Sequence, residues 1–224
     1  MRRFFFENGL SVFFLTIFLA TLVGQSFVGQ HAYNAEELTH GGEPLSWLDY
    51  VLSPSFGGAV LENWQSEFLQ FTLFVLATVW LVQKGSNESK PLGDAGLETK
   101  QKQRIGGYAP ANAPRWATFD DWRTRLYMNS LVLVMGAIFF ATWGGQSVNN
   151  WRDFNSNQRE HGKAAISWGS YVTGPDFWEK TLQNWQSEFL AVGTMAVFTI
   201  YLRQRGSPES KPVGAPYDET GSKG

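Results

Sequence analysis

The chain has no cysteine. That removes disulfides, thiolate metal sites, iron–sulfur clusters and cysteine nucleophiles at once. An excess of one charge is missing too: 18 Lys+Arg stand against 20 Asp+Glu for a formal net charge of -2. No basic field exists to attract nucleic acid, and no nucleic-acid partner is expected. Histidine occurs three times, and there is no glycine-rich phosphate loop, His-Glu-x-x-His pair or Gly-x-Ser-x-Gly elbow. No cofactor is therefore expected, and an enzyme is the least favoured class.

Aromatic residues are plentiful, with 10 Trp and 18 Phe among 224 residues. The apolar residues gather into four blocks, and the mean hydropathy of -0.21 averages those blocks with long polar connections. A helix rises about 1.5 Å per residue against a hydrocarbon core about 30 Å thick, so a span needs roughly 20 mostly apolar residues. Four stretches are expected to span: Leu10 to Gly29, Trp64 to Val82, Tyr127 to Ser147 and Trp185 to Leu202. Arg2 and Arg3 before the first resemble the basic start of a secretory signal, but the apolar run is longer than a signal core. A related pattern recurs internally, which predicts a retained helix.

Shifting the chain by 121 positions aligns Asn8 to Pro91 with Asn129 to Pro212 without a gap, and about 35 of the 84 pairs are identical. Asn63-Trp64-Gln65-Ser66-Glu67-Phe68-Leu69 returns unchanged as Asn184-Trp185-Gln186-Ser187-Glu188-Phe189-Leu190. Gln25-Ser26 returns as Gln146-Ser147, His40-Gly41 as His161-Gly162, and Ser46-Trp47 as Ser167-Trp168. This pattern predicts an all-α integral membrane four-helix bundle made of two tandem, parallel two-helix repeats. Residues 1–91 form the first repeat and 122–212 the second, with a cytoplasmic linker over 92–121 and a flexible cytoplasmic tail over 213–224. Two spans per repeat give both halves the same orientation, which excludes an inverted-repeat transporter plan. Fourteen of the 18 Lys and Arg fall in the N-terminus, the central connection and the tail. The positive-inside rule then places both termini and the linker in the cytoplasm.

With these repeated motifs and the Gly-Ser-x-Glu-Ser-Lys-Pro segments in view, the chain resembles a family of bacterial multi-span membrane proteins known only as a domain of unknown function. The resemblance covers nearly all of both repeats. It implies a bacterial inner membrane and a lipid-bilayer environment, and it carries no assigned catalytic residue.

Thr16, Ala20 and Gly24, with Ala137, Ala141 and Gly145, form a small-residue face at four-residue spacing, where helix backbones approach closely in lipid. A crossing of the first and third membrane helices is expected there. Counting back from Lys84 places Trp64 at the outer interface and Glu67 just inside it. Glu67 and Glu188 then sit near helix N-termini, where the dipole favours an anion. The plain reading is a first-turn carboxylate beside a capping asparagine. The sharper one is an outer-face polar crevice of Gln25, Ser26, Asn63, Glu67, Gln146, Ser147, Asn184 and Glu188, able to take a cation, a polar headgroup or a partner helix. An ionisable group inside a span is costly unless it is partnered or faces a cavity. His40 and His161 are metal-ligand candidates only together with these glutamates; each stands beside a glycine with no second histidine close, so no metal is assigned.

Ser46-x-x-Asp49 predicts a capping box opening a short interfacial helix within Pro44 to Leu52, with Ile166 to Val172 as its counterpart, which keeps Ser167, Trp168 and Tyr171 but has Ser170 for the Asp. The Ser-Lys-Pro segments beyond Gly85 and Gly206 are expected to be solvated ends after ordinary glycine caps. The leading functional expectation is a non-enzymatic inner-membrane protein with a structural or interaction role in the envelope, working with a membrane-protein partner or as a homo-oligomer. The alternative is a small transporter or channel using the outer crevice.

Overall fold

A computed structural model describes residues 2–222; Met1, the side chain of Arg2 and positions 223 and 224 at the end of the 213–224 segment lie outside the described residues. Among the described residues all regular structure is helical: α1 (Arg2–Glu7), α2 (Gly9–His40), α3 (Trp47–Val51), α4 (Pro54–Trp80), α5 (Trp122–Met128), α6 (Ser130–Glu160), α7 (Trp168–Val172) and α8 (Pro175–Tyr201). Single 3-10 turns at Gly106–Tyr108 and Arg115–Thr118 punctuate the central connection.

Helices α2 and α6 are long and apolar enough to cross a membrane. Of the four spans expected from sequence, α4 and α8 do not meet that standard. Both are 27 residues long, but their N-terminal halves carry Glu62, Asn63, Gln65 and Glu67, or Glu179, Lys180, Asn184 and Glu188. The apolar run is left with only Phe68 to Trp80 and Phe189 to Tyr201, about 20 Å of helix at about 1.5 Å per residue. Conversely, α2 and α6 overrun the expected boundaries by about three turns, because Gln30 to His40 and Val148 to Glu160 contain no proline or glycine to stop them. What was expected to be long outer loop is mostly helix.

Glycine provides the stop. Gly41 adopts φ +79° and Gly162 φ +66°, left-handed values open to glycine at little steric cost. Gly42 N–H donates to Glu37 O at 2.8 Å, and Lys163 N–H to Gln158 O at 2.8 Å. These bonds pair carbonyls that the helix end leaves orphaned. Gly41 and Gly162 are thus left-handed residues at the helix ends; His40 is the last residue of α2, whereas His161 already stands in the turn after α6.

The chain gathers into two compact units, residues 1–61 with 145–172 and residues 62–144 with 173–224. In the first, each short helix is fastened back to a long one by the same bonds. Asn34 Nδ2 donates to Leu45 O at 2.9 Å while its Oδ1 accepts from Leu45 N at 2.8 Å. Asn155 repeats both bonds with Ile166, each at 2.9 Å. The Trp47 indole N–H donates to Ser26 Oγ at 3.0 Å, and that of Trp168 to Ser147 Oγ at 3.2 Å. Gln30 Nε2 reaches Leu45 O, and Trp151 Nε1, 121 positions later, reaches Ile166 O; an amide and an indole supply the same donor. Ser46 caps α3 by accepting from Asp49 N, and Ser167 accepts from Ser170 N in the matching place. Tyr50, Phe56 and Tyr171 are the buried apolar centre of this unit.

The residues of the expected small-residue face fall in both units, Thr16, Ala20, Gly24 and Gly145 in the first and Ala137 and Ala141 in the second. Thr16, Ala20 and Gly24 are exposed, and a Cβ added at Gly24 meets nothing within 4 Å. Ala137 and Ala141 are exposed as well. Gly145 does pack closely, but on the Leu61 side chain of α4, whose Cδ1 lies 2.9 Å from an ideal Cβ. The aromatic surface of α2 (Phe13, Phe14, Phe18) is likewise exposed. Gly24→Leu is therefore expected to leave the melting temperature in detergent unchanged or slightly raised, while Gly145→Leu overpacks the Leu61 contact and costs about 1–3 kcal/mol. Equal melting shifts for the two would refute this asymmetry.

In the second unit Leu69, Phe139, Phe177 and Ile200 are buried. Trp143 lies at the centre of an aromatic cluster, with Phe139, Phe177, Trp178 and Trp185 at centroid distances of 5.7 to 6.0 Å. The two Gly-Ser-x-Glu-Ser-Lys-Pro segments fold alike but differ in burial: Gly85 to Asn87 and Ser89 are buried in the first, so it is not a solvated end, while in the second only Ser210 and Lys211 are. Gln83 N donates to Ser89 Oγ and Gln204 N to Ser210 Oγ, both at 2.9 Å; Glu88 N and Glu209 N bond back to Ser86 Oγ and Ser207 Oγ, both at 3.2 Å. α4 and α8 end at Trp80 and Tyr201, so Gly85 and Gly206 are left-handed turn residues and not helix caps. Lys211 is buried, its ammonium donating to the carbonyls of Pro216, Tyr217 and Glu219. Burial and the nearby Arg203 charge pull its pKa below the usual lysine value. The C-terminal segment returns to the first turn, with Gly85 N donating to Thr220 Oγ1 and Gly221 N to Ser86 O.

Candidate functional site

The eight residues expected to line one crevice divide between the two units. In the first, Ser26 and Ser147 are 4% exposed and accept the tryptophan N–H bonds described above, so their hydroxyls are anchors for α3 and α7. Gln25 is exposed. Gln146 is fully buried, and neither its amide nitrogen nor its amide oxygen has a hydrogen-bond partner.

In the second unit the two copies of the Asn-Trp-Gln-Ser-Glu motif meet each other unequally. Trp185 Nε1 donates to Gln65 Oε1 at 2.8 Å, and Gln65 Nε2 donates to Glu62 O at 3.1 Å. Ser66 Oγ lies 3.4 Å from Glu188 Oε1 and 2.9 Å from Asn63 O. Gln65 and Ser66 are buried while Gln186 and Ser187 are exposed. Asn184 Nδ2 bonds to Lys180 O within its own helix. Glu67 is exposed yet within electrostatic range of Glu188. Identical segments thus do different work: one supplies the Gln65 carbonyl as acceptor and the Ser66 hydroxyl as donor, the other the indole N–H and the carboxylate that meet them.

A second constellation lies in the first unit, where the C-terminal turns of α2 and α6 meet the start of α4. A cavity of about 90 Å³ is lined by Tyr33, Glu36, Glu37 and His40 of α2, Ser55 of α4, and Asp153, Ser156, Asn157 and Glu160 of α6. Four carboxylates and no Lys or Arg line it. His40 and His161 stand edge to face with ring centroids 5.7 Å apart, and His161 Nδ1 lies 2.9 Å from Asn157 O. Among the described residues no set of three His, Asp or Glu side chains is arranged to hold a metal ion. Burial, a hydrogen bond with Glu37 and the charges of Glu37, Asp153 and Glu160 push the Tyr33 phenol well above its ordinary pKa. Burial and Asp153 raise that of Tyr50 as well. Tyr33 faces the carboxylates as a neutral donor, bonded to Glu37.

Sequence reasoning missed this cavity because only one of its residues recurs at the 121-residue spacing, His40 as His161. It also missed the Asn34 and Asn155 clamps, although a signal was there. Between 27–39 and 148–160 these asparagines are the one identical pair, preserved where everything around them changed.

The features together define an all-helical protein with two membrane-length apolar helices that share a carboxylate-rich pocket at their C-terminal ends. The chain belongs to the family described as domain of unknown function DUF6766, whose model matches residues 1–222. No curated protein and no solved structure matches it.

Proposed function

We propose that this is a multi-pass protein of the bacterial inner membrane, built from two tandem two-helix repeats as a four-helix bundle, with a non-enzymatic structural or interaction role in the cell envelope. The observation that carries this reading is the use made of the recurring polar residues. Ser26, Asn34, Ser147 and Asn155 fasten short helices to long ones, and Ser89 and Ser210 tie the segments after α4 and α8. Polar groups spent as fastenings indicate selection for a fixed frame rather than for a reacting centre. The acidic pocket by His40 and His161 is the surface of that frame suited to a basic partner.

A transporter or channel is the second reading, favoured by Gln146. A buried amide with both ends unpaired costs free energy unless water or a ligand reaches it. Of the bundle's long helices, α4 and α8 have polar N-terminal halves, which suits packing against protein more than against lipid.

Orientation tests the membrane reading directly. Single cysteines at Glu43 and Lys163 are expected to react with an impermeant maleimide in intact cells, and one at Gly96 only after lysis. Labelling of Gly96 alone in intact cells would reverse the topology. Release of the whole protein by carbonate without detergent would remove the membrane reading itself.

A further inference from the structure

The central connection holds a pocket in a segment expected from sequence to be only a linker. Its cavity, about 410 Å³, lies between the 103–117 stretch and the end of α5, a volume in the range of small-molecule sites. The walls are mostly apolar, with Ile105, Tyr127 and Met128 among them, and the polar groups are Gln103, Arg104 and Asn112. No carboxylate lines it. Arg104 has φ +53°, the one non-glycine positive φ among the described residues, and no ion-pair partner there. Three neighbouring cations are already matched: Lys100 bonds Asp120, Lys102 pairs with Asp94, and Arg123 pairs with Asp121; Arg115 and Arg125 flank the pocket but do not line it. The guanidinium at this cavity is therefore an available cation beside an apolar wall.

The surroundings say what would fill it. Tyr108, Trp116, Trp122, Leu126 and Met128 are exposed around the same segment, and α6, one of the two membrane-length helices, starts at Ser130. Exposed Trp and Tyr beside the start of an apolar helix are the pattern of a membrane–water interface. A ligand at that level needs an anionic group for Arg104, polar atoms for Gln103 and Asn112, and an apolar body for Ile105, Tyr127 and Met128. We propose that this pocket binds an acidic phospholipid of the cytoplasmic leaflet, its phosphodiester on Arg104 and its first acyl carbons against Ile105 and Met128. This rests on the membrane reading above. A planar guanidinium takes a phosphate through two parallel N–H bonds, and basic pockets at cytoplasmic helix ends suit anionic headgroups.

The test uses the purified full-length protein in a non-ionic detergent, titrated with dioctanoyl phosphatidylglycerol, dioctanoyl phosphatidylcholine and inorganic phosphate, with tryptophan emission and melting temperature as readouts. Saturable binding of phosphatidylglycerol is expected, weakened roughly tenfold in Arg104→Gln, the loss of one charge-assisted contact. Ala113→Phe, which fills the cavity and keeps the charge, is expected to weaken it as well. Phosphatidylcholine binding as tight as phosphatidylglycerol overturns the proposal, as does full retention of binding by both variants. Inorganic phosphate saturating the parent at the same concentration would make the ligand a free anion and also overturn it. Arg104→Lys restores the charge and separates binding from misfolding. Failure of the lipid site leaves carbonate-resistant membrane association intact, whereas failure of the membrane reading shows as carbonate extraction before any titration.

Discussion

Tyr171→Ala is expected to be among the most damaging single substitutions in the unit formed by 1–61 and 145–172, lowering stability by about 3–5 kcal/mol through loss of a large buried side chain. Tyr171 is 1% exposed and its ring lies 5.4 Å from that of Phe154. α7 has five residues, far too few to hold helical form alone. Its position rests on the Asn155 clamp to Ile166, the Trp168 bond to Ser147 and the burial of Tyr171. Removing the ring leaves a cavity under a helix with no other apolar anchor of that size. Tyr171→Phe keeps the ring and is expected to lose no more than about 1.5 kcal/mol, the worth of a single neutral hydrogen bond. The readouts are thermal unfolding in detergent and the rate of proteolysis between 162 and 174. A Tyr171→Ala protein that melts with the parent and resists cleavage there would show that polar clamps alone hold α7.

The same chemistry explains what was legible in the sequence. Helix existence followed from the apolar blocks and the punctuation around them, and the Ser46 cap was readable from Ser-x-x-Asp: Ser46 Oγ accepts from Asp49 N as expected, while the Asp49 carboxylate accepts from the Ser46 hydroxyl and not from its backbone N–H. The helix ends were not, because the stretches after Gly29 and Ser147 are polar but contain nothing that breaks a helix; solvent exposure was mistaken for loop. The small-residue face shows a related limit of spacing. Spacing puts Thr16, Ala20 and Gly24 on one face but cannot supply the opposing helix; a Cβ at Gly24 meets nothing within 4 Å, whereas one at Gly145 meets Leu61. For the candidate crevice, identity at the 121-residue spacing marked residues whose hydrogen-bond work depends on partners that no spacing reveals. Ser26 and Ser147 recur because Trp47 and Trp168 need acceptors, which is a demand of the frame. Gln65 and Gln186 are identical in sequence but differ in burial, since two copies that pack on each other cannot both present the acceptor side. The pocket at His40 and His161 was hidden for the opposite reason. Its carboxylates come from positions that diverged between the halves, so no motif announces them.

Two glutamines separate a frame from a pathway by the sign of their effects. Gln146 is fully buried with both amide atoms unpaired, whereas Gln65, equally buried, accepts from Trp185 and donates to Glu62 O. A buried polar group without a partner carries its desolvation cost uncompensated, of about 1–3 kcal/mol. Gln146→Leu removes that cost at similar volume and is expected to stabilise the protein by about 1–3 kcal/mol. Gln65→Leu strands the Trp185 indole N–H and is expected to destabilise it by a similar amount. Paired thermal melts in one detergent read both signs. If Gln146→Leu is stabilising and cells carrying it behave as the parent, the amide is an inherited burden of the frame and the structural reading gains. If it is stabilising but abolishes whatever phenotype deletion of the protein produces, the amide is kept at a cost for a ligand or ion in passage, and the transport reading replaces it. A clear loss of stability in Gln146→Leu, matching that of Gln65→Leu, would show that the amide is satisfied in place, and the argument for a pathway through it would fall.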